Sequence, residues 1–231
     1  MTARVCRFWM TLCSTLLGGI IEWGGLALAL NAAEPPDAYE QVIAGRADKI
    51  LASLSLEDAA VRSQVHAALV DFYRSVNAWH EQHAGRRKEL KQAATDSAQE
   101  SLATLEADLA AVRQDFEERL AKVLPPESIA RVKDGLTYNV VHVTERAYHD
   151  MLPELTADQR ERIHAWLVEA RDLAISEGSS EAKHGVFGRY KGKINNFLSQ
   201  AGYDLKQAER DWHARRKAAA EAGAAEAKES N

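Results

Sequence analysis

From Ala182 to Tyr203 the chain carries no acid, while Lys183, Arg189, Lys191 and Lys193 contribute +4 inside a protein of net charge -5. Gly178, just before it, and Gly185, Gly188 and Gly192 inside it fall within fifteen residues, although an interior glycine costs a helix up to about 1 kcal/mol against alanine. Two readings account for this. Gly185, Gly188 and Gly192 are three and four residues apart, so they share a helix face that could cross another helix closely. Alternatively, exposed backbone and converging cations form an anion site for a carboxylate or phosphate. Lys183, His184, Arg189, Tyr190, Lys191, Asn195 and Asn196 are then the ligand-binding candidates, the tyrosine and asparagines resembling the neutral groups that line sugar sites. The order of a P-loop is absent.

A second cluster holds Tyr138, His142, Glu145, Tyr148 and His149. His142, Glu145 and His149 stand at i, i+3 and i+7, on one helix face. That spacing suits two or three zinc ligands or an acid/base pair, with His142, Glu145 and His184 as catalytic candidates. It is not HExxH, and a fourth ligand would have to come from His164 or His184, so no metal is expected. A solvated, hydrogen-bonded face explains the cluster equally. His80 and His83 flank Glu81 near an expected helix end, where cationic histidine suits the helix dipole. Trp79, Trp166 and Trp212 read as packing anchors. No GxSxG, no Ser/His/Asp signature and no nucleotide fingerprint occurs, so no cofactor is expected.

These residues need a scaffold, and the chain is long enough to build one. At 231 residues, 46% hydrophobic and 27% charged, it has the composition of a folded protein. Its acidic balance argues against nucleic acid as a partner. Both cysteines, Cys6 and Cys13, precede residue 34. Arg4 and Arg7, the apolar run from Phe8 to Leu30 and the small residues before Pro35-Pro36 form a secretory signal pattern over residues 1–33. A retained membrane anchor is the competing reading, against which Glu22 weighs. Cleavage leaves no cysteine, no disulfide and no membrane attachment, in a periplasmic or secreted protein.

The remainder reads as helix throughout. Asp37 with Glu40 opens one helix to about Ser53, and Ser55 with Asp58 opens the next. Val61, Val65, Leu69, Phe72, Val76 and Trp79 make one apolar stripe; Leu102, Leu105, Leu109, Val112, Phe116, Leu120 and Val123 make another. A break near Gly85 or Thr95-Asp96-Ser97 divides this stretch into two long antiparallel helices. The second stripe must be covered by something, so a homodimer is one way to cover it. Pro126 starts a short helix, Thr137 caps another to Met151, and Thr156 with Gln159 is a capping box. Ile163, Trp166, Leu167, Ala170 and Leu173 form the face that follows, Ser179 or Ser180 opens a helix closed by Gly202, and Asp204 leads into the last. The expected fold is a single all-α domain over residues 34–222, a bundle of about six to eight helices, with a disordered tail over 223–231.

Leu155-Thr156-Ala157-Asp158-Gln159 also looks like the LTxxQ box of small periplasmic helical proteins, a family that includes an envelope-stress chaperone, although capping chemistry explains it as well. Three other stretches carry a broader likeness: Ala44-Gly45-Arg46-Ala47-Asp48-Lys49-Ile50 with Leu54-Ser55-Leu56, Val132 to Val141, and Gly178 to His184 with Gly192 to Leu198. On these the chain resembles the bacterial domain-of-unknown-function family DUF3826. The resemblance implies an exported helical protein of polysaccharide-degrading bacteria, beside pectin- or uronate-processing enzymes. It implies no reaction and supplies no catalytic residues.

The first functional expectation is a non-enzymatic accessory or binding protein, with Lys183 to Asn196 contacting an acidic oligosaccharide or an envelope protein. The second is an enzyme on uronate-type glycans, with His142, Glu145 or His184 as acid/base and Arg189 or Lys191 on the carboxylate. The third is a chaperone-like cradle with a broad apolar surface.

Overall fold

Apolar residues recur at helical spacing along the whole chain, and each helix must bury its stripe against a neighbour. The computed structural model describes residues 36–229 except position 94, with side chains from 38 to 222. The expected signal segment and the Asp37 side chain lie outside the described residues.

Among those residues there are eight helices and no strand: α1 (Pro36–Ala52), α2 (Ala59–Ala93), α3 (Asp96–Ala121), α4 (Pro126–Leu136), α5 (Val140–Met151), α6 (Ala157–Ala174), α7 (Ser180–Gln200) and α8 (Leu205–Glu229). All eight belong to one compact unit. The last helix takes in residues 223–229, assigned above to the tail.

Helix α2 runs through Gly85 and stops at Ala93; Thr95 then caps α3 by accepting from the Ala98 N–H at 3.2 Å. The two helices are antiparallel, because Phe72 stacks on Phe116 at 4.2 Å while Arg87 pairs with Glu106 at 3.5 Å. The α3 stripe is thereby covered within the chain by α2, which removes the reason for expecting a second copy there.

Several local expectations are corrected. Asp58 rather than Ser55 caps α2, its Oδ1 accepting from the Ala60 and Val61 N–H groups at 2.7 and 3.2 Å. Ser55 instead sits in the turn with φ 51°, where it is out of place to cap. Thr137 does not cap α5. Its hydroxyl donates to the Lys133 carbonyl at 2.9 Å, closing α4, and Asn139 takes the cap position. Leu173 is 42% exposed, because the buried face of α6 follows Ile163, Leu167, Ala170 and Ala174. Close crossing does not explain Gly185, Gly188 and Gly192: a Cβ at any of them would meet nothing within 4 Å.

Two cores result. Helices α1 to α4 enclose Ile43, Leu69, Phe116, Leu120 and Val132, together with Ile175 from the end of α6. Helices α5 to α7 enclose Val141, Ile163, Leu167, Phe187, Ile194 and Leu198, with Leu205 and Ala208 of α8 packed alongside.

Polar links cross the boundary. Arg171 of α6 donates to Asp134 of α4 at 3.0 Å, with both side chains under a tenth exposed, and Lys133 reaches Asp172 at 2.9 Å. Removing one member of a buried pair strands the other charge at a cost of about 3–5 kcal/mol. Arg171→Ala is therefore expected to lower the unfolding free energy in urea by about that amount. An effect under about 1 kcal/mol, the range of surface pairs, would show that the junction does not depend on this link.

Candidate functional site

The two cores leave a cavity of about 880 Å³ between them, walled by α1, α2, α4, the start of α5, the end of α6 and the start of α7. Two close approaches shape it. A Cβ on Gly135 would lie 2.9 Å from Ile50 Cγ1, and one on Gly178 would lie 2.9 Å from the His80 ring. His80 is fixed in turn, its Nε2 2.8 Å from the Ser176 carbonyl. Overpacking a rigid contact costs about 1–3 kcal/mol. Gly135→Ala, facing a buried and branched Ile50, is expected to fall in that range by urea denaturation.

The wall is rich in cations. Arg46 and Lys49 come from successive turns of α1, Arg131 from α4 and Lys183 from α7. Its two acids are already engaged: Asp134 by Arg171 at 3.0 Å, and Glu177 by Arg87 at 3.5 Å. Among the described residues Arg46, Lys49 and Arg131 form no ion pair. Gly178, Ser179 and Ser180 add the positive end of the α7 dipole, where Ser179 caps the helix by accepting from the Ala182 N–H at 3.0 Å. The field in the cavity thus favours an anion.

Lys183 sits in the first turn of α7 and is 7% exposed, its Nζ donating to the Leu136 carbonyl at 2.9 Å. Burial first, and then the nearby Arg46 charge, push its ammonium down to about 8, against the opposing pull of Glu177. Tyr39, Tyr73 and Tyr138 supply aromatic faces and hydroxyls. Burial pushes Tyr73 up to about 12, so its hydroxyl keeps its proton at neutral pH. Tyr138 and Asn139 are consecutive residues in the left-handed region, with φ 59° and 57°. For a bulky tyrosine that conformation is uncommon and costs free energy, the kind of strain that concentrates at functional sites.

His142 stands at the cavity wall, its Nε2 3.1 Å from Asp134 Oδ2. The other sequence-predicted residues divide. His184 lies beside the cavity, its ring 6.0 Å from that of Tyr138. Glu145 turns to His164 at 3.1 Å, and His149 Nε2 is buried without a partner, so the α5 triplet does not converge. Among the described residues no three His, Cys, Asp or Glu side chains are grouped to hold a metal ion. Asn195 accepts from the Tyr148 hydroxyl at 2.7 Å, a link between α7 and α5. Arg189 and Asn196 line a separate, shallow groove with Arg162, Trp166 and Lys193. Lys191 is exposed, and Tyr190 lies 5.4 Å beneath the Lys193 ammonium.

Arg46, Lys49 and Ile50, then Asp134, Gly135, Tyr138 and Asn139, then Gly178 to Lys183 are three segments distant in sequence that meet around this one cavity. Residues 40–218 match the model of a family of proteins of unknown function, DUF3826. The chain belongs to the DUF3826 family. Among curated proteins none matches it. Parts of all three segments that carry the sequence resemblance to DUF3826 thus reach the cavity wall, whereas Gly192, Lys193, Asn196 and Phe197 line the separate groove. Single-residue reasoning missed Arg46, Lys49, Arg131, Tyr39 and Tyr73, which come from three helices with no spacing rule between them.

Lys183 also gives this member of the DUF3826 family a pH signature. Its ammonium titrates lower in the folded chain than the 10.5 of a free lysine, so the unfolded chain binds more protons between about 8 and 10.5. Stability contributed by this group therefore rises with pH across that window. Tyr73, Tyr148 and Tyr190, raised by burial, oppose it toward the upper end. The Lys183 contribution, on the order of 3 kcal/mol, is therefore read as the difference in urea stability between the wild-type chain and Lys183→Met across the window. An equal slope in the variant would assign the effect to other groups.

Proposed function

We propose that this protein is exported and binds an acidic oligosaccharide in the cavity between its two helical cores. The observation that supports this most directly is the charge arrangement of the wall: Arg46, Lys49, Arg131 and Lys183 line it, while both of its acids are tied to arginines. Guanidinium groups match the planar geometry of a carboxylate. The three tyrosines and Asn77 and Asn139 supply the flat faces and neutral hydrogen-bonding groups that a sugar ring needs. A cavity of about 880 Å³ is at the upper end of the range usual for small-molecule sites.

The reading as a chaperone-like cradle has less support. Among the described residues the large exposed hydrophobics are Val42, Tyr138, Val143 and Leu173, rather than a broad apolar face.

A thermal-shift titration with oligogalacturonides against neutral oligosaccharides tests the binding reading. At a hundred times its dissociation constant a ligand stabilises the fold by about 2.7 kcal/mol. The acidic sugars alone are expected to raise the melting temperature. Arg46→Ala is expected to abolish the shift and Lys191→Ala, outside the cavity, to keep it. No shift with any acidic glycan would sink the reading and leave envelope proteins as the partners to pursue.

A further inference from the structure

The cavity wall holds a base as well as cations, and we propose that it carries out an elimination. His142 removes the hydrogen next to the carboxylate of a bound uronic acid residue, and the glycosidic bond at the β carbon breaks. The inference rests on the reading that the cavity receives an acidic glycan and goes one chemical step past binding.

The geometry of His142 comes first. Asp134 accepts from Arg171 at Oδ1, and its other oxygen, Oδ2, accepts from His142 Nε2 at 3.1 Å. In the neutral ring this leaves the Nδ1 lone pair free, on a side chain 57% exposed at the cavity wall. A buried carboxylate that fixes the tautomer of a partly exposed histidine is the arrangement that orients a general base.

The acids decide between reactions. Glycoside hydrolysis by the usual route needs one carboxylic acid to donate a proton and a second carboxylate as nucleophile or base. Asp134 and Glu177 are both engaged by arginines, so neither is arranged to donate a proton. Elimination needs a base and positive charge instead. Arg46, Lys49 and Arg131 would neutralise the carboxylate and carry the second negative charge that develops on it as the adjacent hydrogen leaves.

The step balances without oxidant, reductant or water. The C–H bond α to the carboxylate breaks and its proton passes to His142 Nδ1. The electron pair forms a double bond between the α and β carbons. The bond from the β carbon to the departing sugar's oxygen breaks, and that oxygen takes a proton from the Lys183 ammonium. His142 and Lys183 then return to their starting states by proton exchange with solvent.

The test incubates the purified protein with oligogalacturonides, oligoglucuronides and oligomannuronates. It follows the ultraviolet absorbance of the conjugated product, product masses and the thermal shift together. Conjugated products whose masses sum to that of the substrate, with no water added, are expected. His142→Ala is expected to lower their rate at least about 100-fold while the thermal shift persists. A thermal shift in the wild-type protein with no conjugated product from any of the three would overturn elimination and leave binding standing. Products carrying added water, or an undiminished rate in His142→Ala, would also overturn it. No shift and no product would end both readings.

Discussion

Glu117, Lys133, Asp172, Arg171 and Asp134 form one line of alternating charge running from α3 through α4 and α6, and His142 of α5 ends it with a hydrogen bond to Asp134, every link lying between 2.9 and 3.3 Å. Apolar packing alone tolerates some repacking of one surface against another. Charges taken out of water do not, because each must keep its counterion within contact distance. This line therefore sets where the second core stands relative to the first. Ile175, at the end of α6 but buried in the first core, reinforces the placement. The width of the cavity and the position of His142 both follow from it.

Much of the fold was legible because helices announce themselves through local chemistry. The stripe from Val65 to Trp79 is buried as its spacing requires, and Thr156 and Ser179 cap the helices they precede. Errors arose where two local solutions compete. At Ser55 and Asp58 either side chain can cap, and the backbone conformation at Ser55 decides. At Thr137 the hydroxyl can serve the helix behind it or the one ahead, and it serves the one behind.

The site was less legible, for a reason of dimension. Lys183 and His142 stood out because each sits in a local cluster, and both line the cavity. The rest of the basic segment of α7 faces elsewhere, since a helix turns its residues around its axis: Arg189 and Asn196 reach a different groove. Arg46, Lys49 and Arg131 look ordinary in their own helices and acquire meaning only in three dimensions. Arg46 and Lys49 fall within a stretch that carries the family resemblance, and Arg131 directly precedes another.

Four cations around one cavity, one of them on a buried side chain, give this protein a tension between durability and use. With the cavity empty, Arg46 and Lys183 repel each other, and nothing in the wall compensates them beyond two acids held by other arginines. Replacing Lys183 with an apolar residue of similar length would remove that repulsion together with the charge a ligand would meet. A search for hardier variants would thus enrich chains blind to their ligand. The same repulsion, relieved when an anion enters, turns part of the cost of folding into affinity.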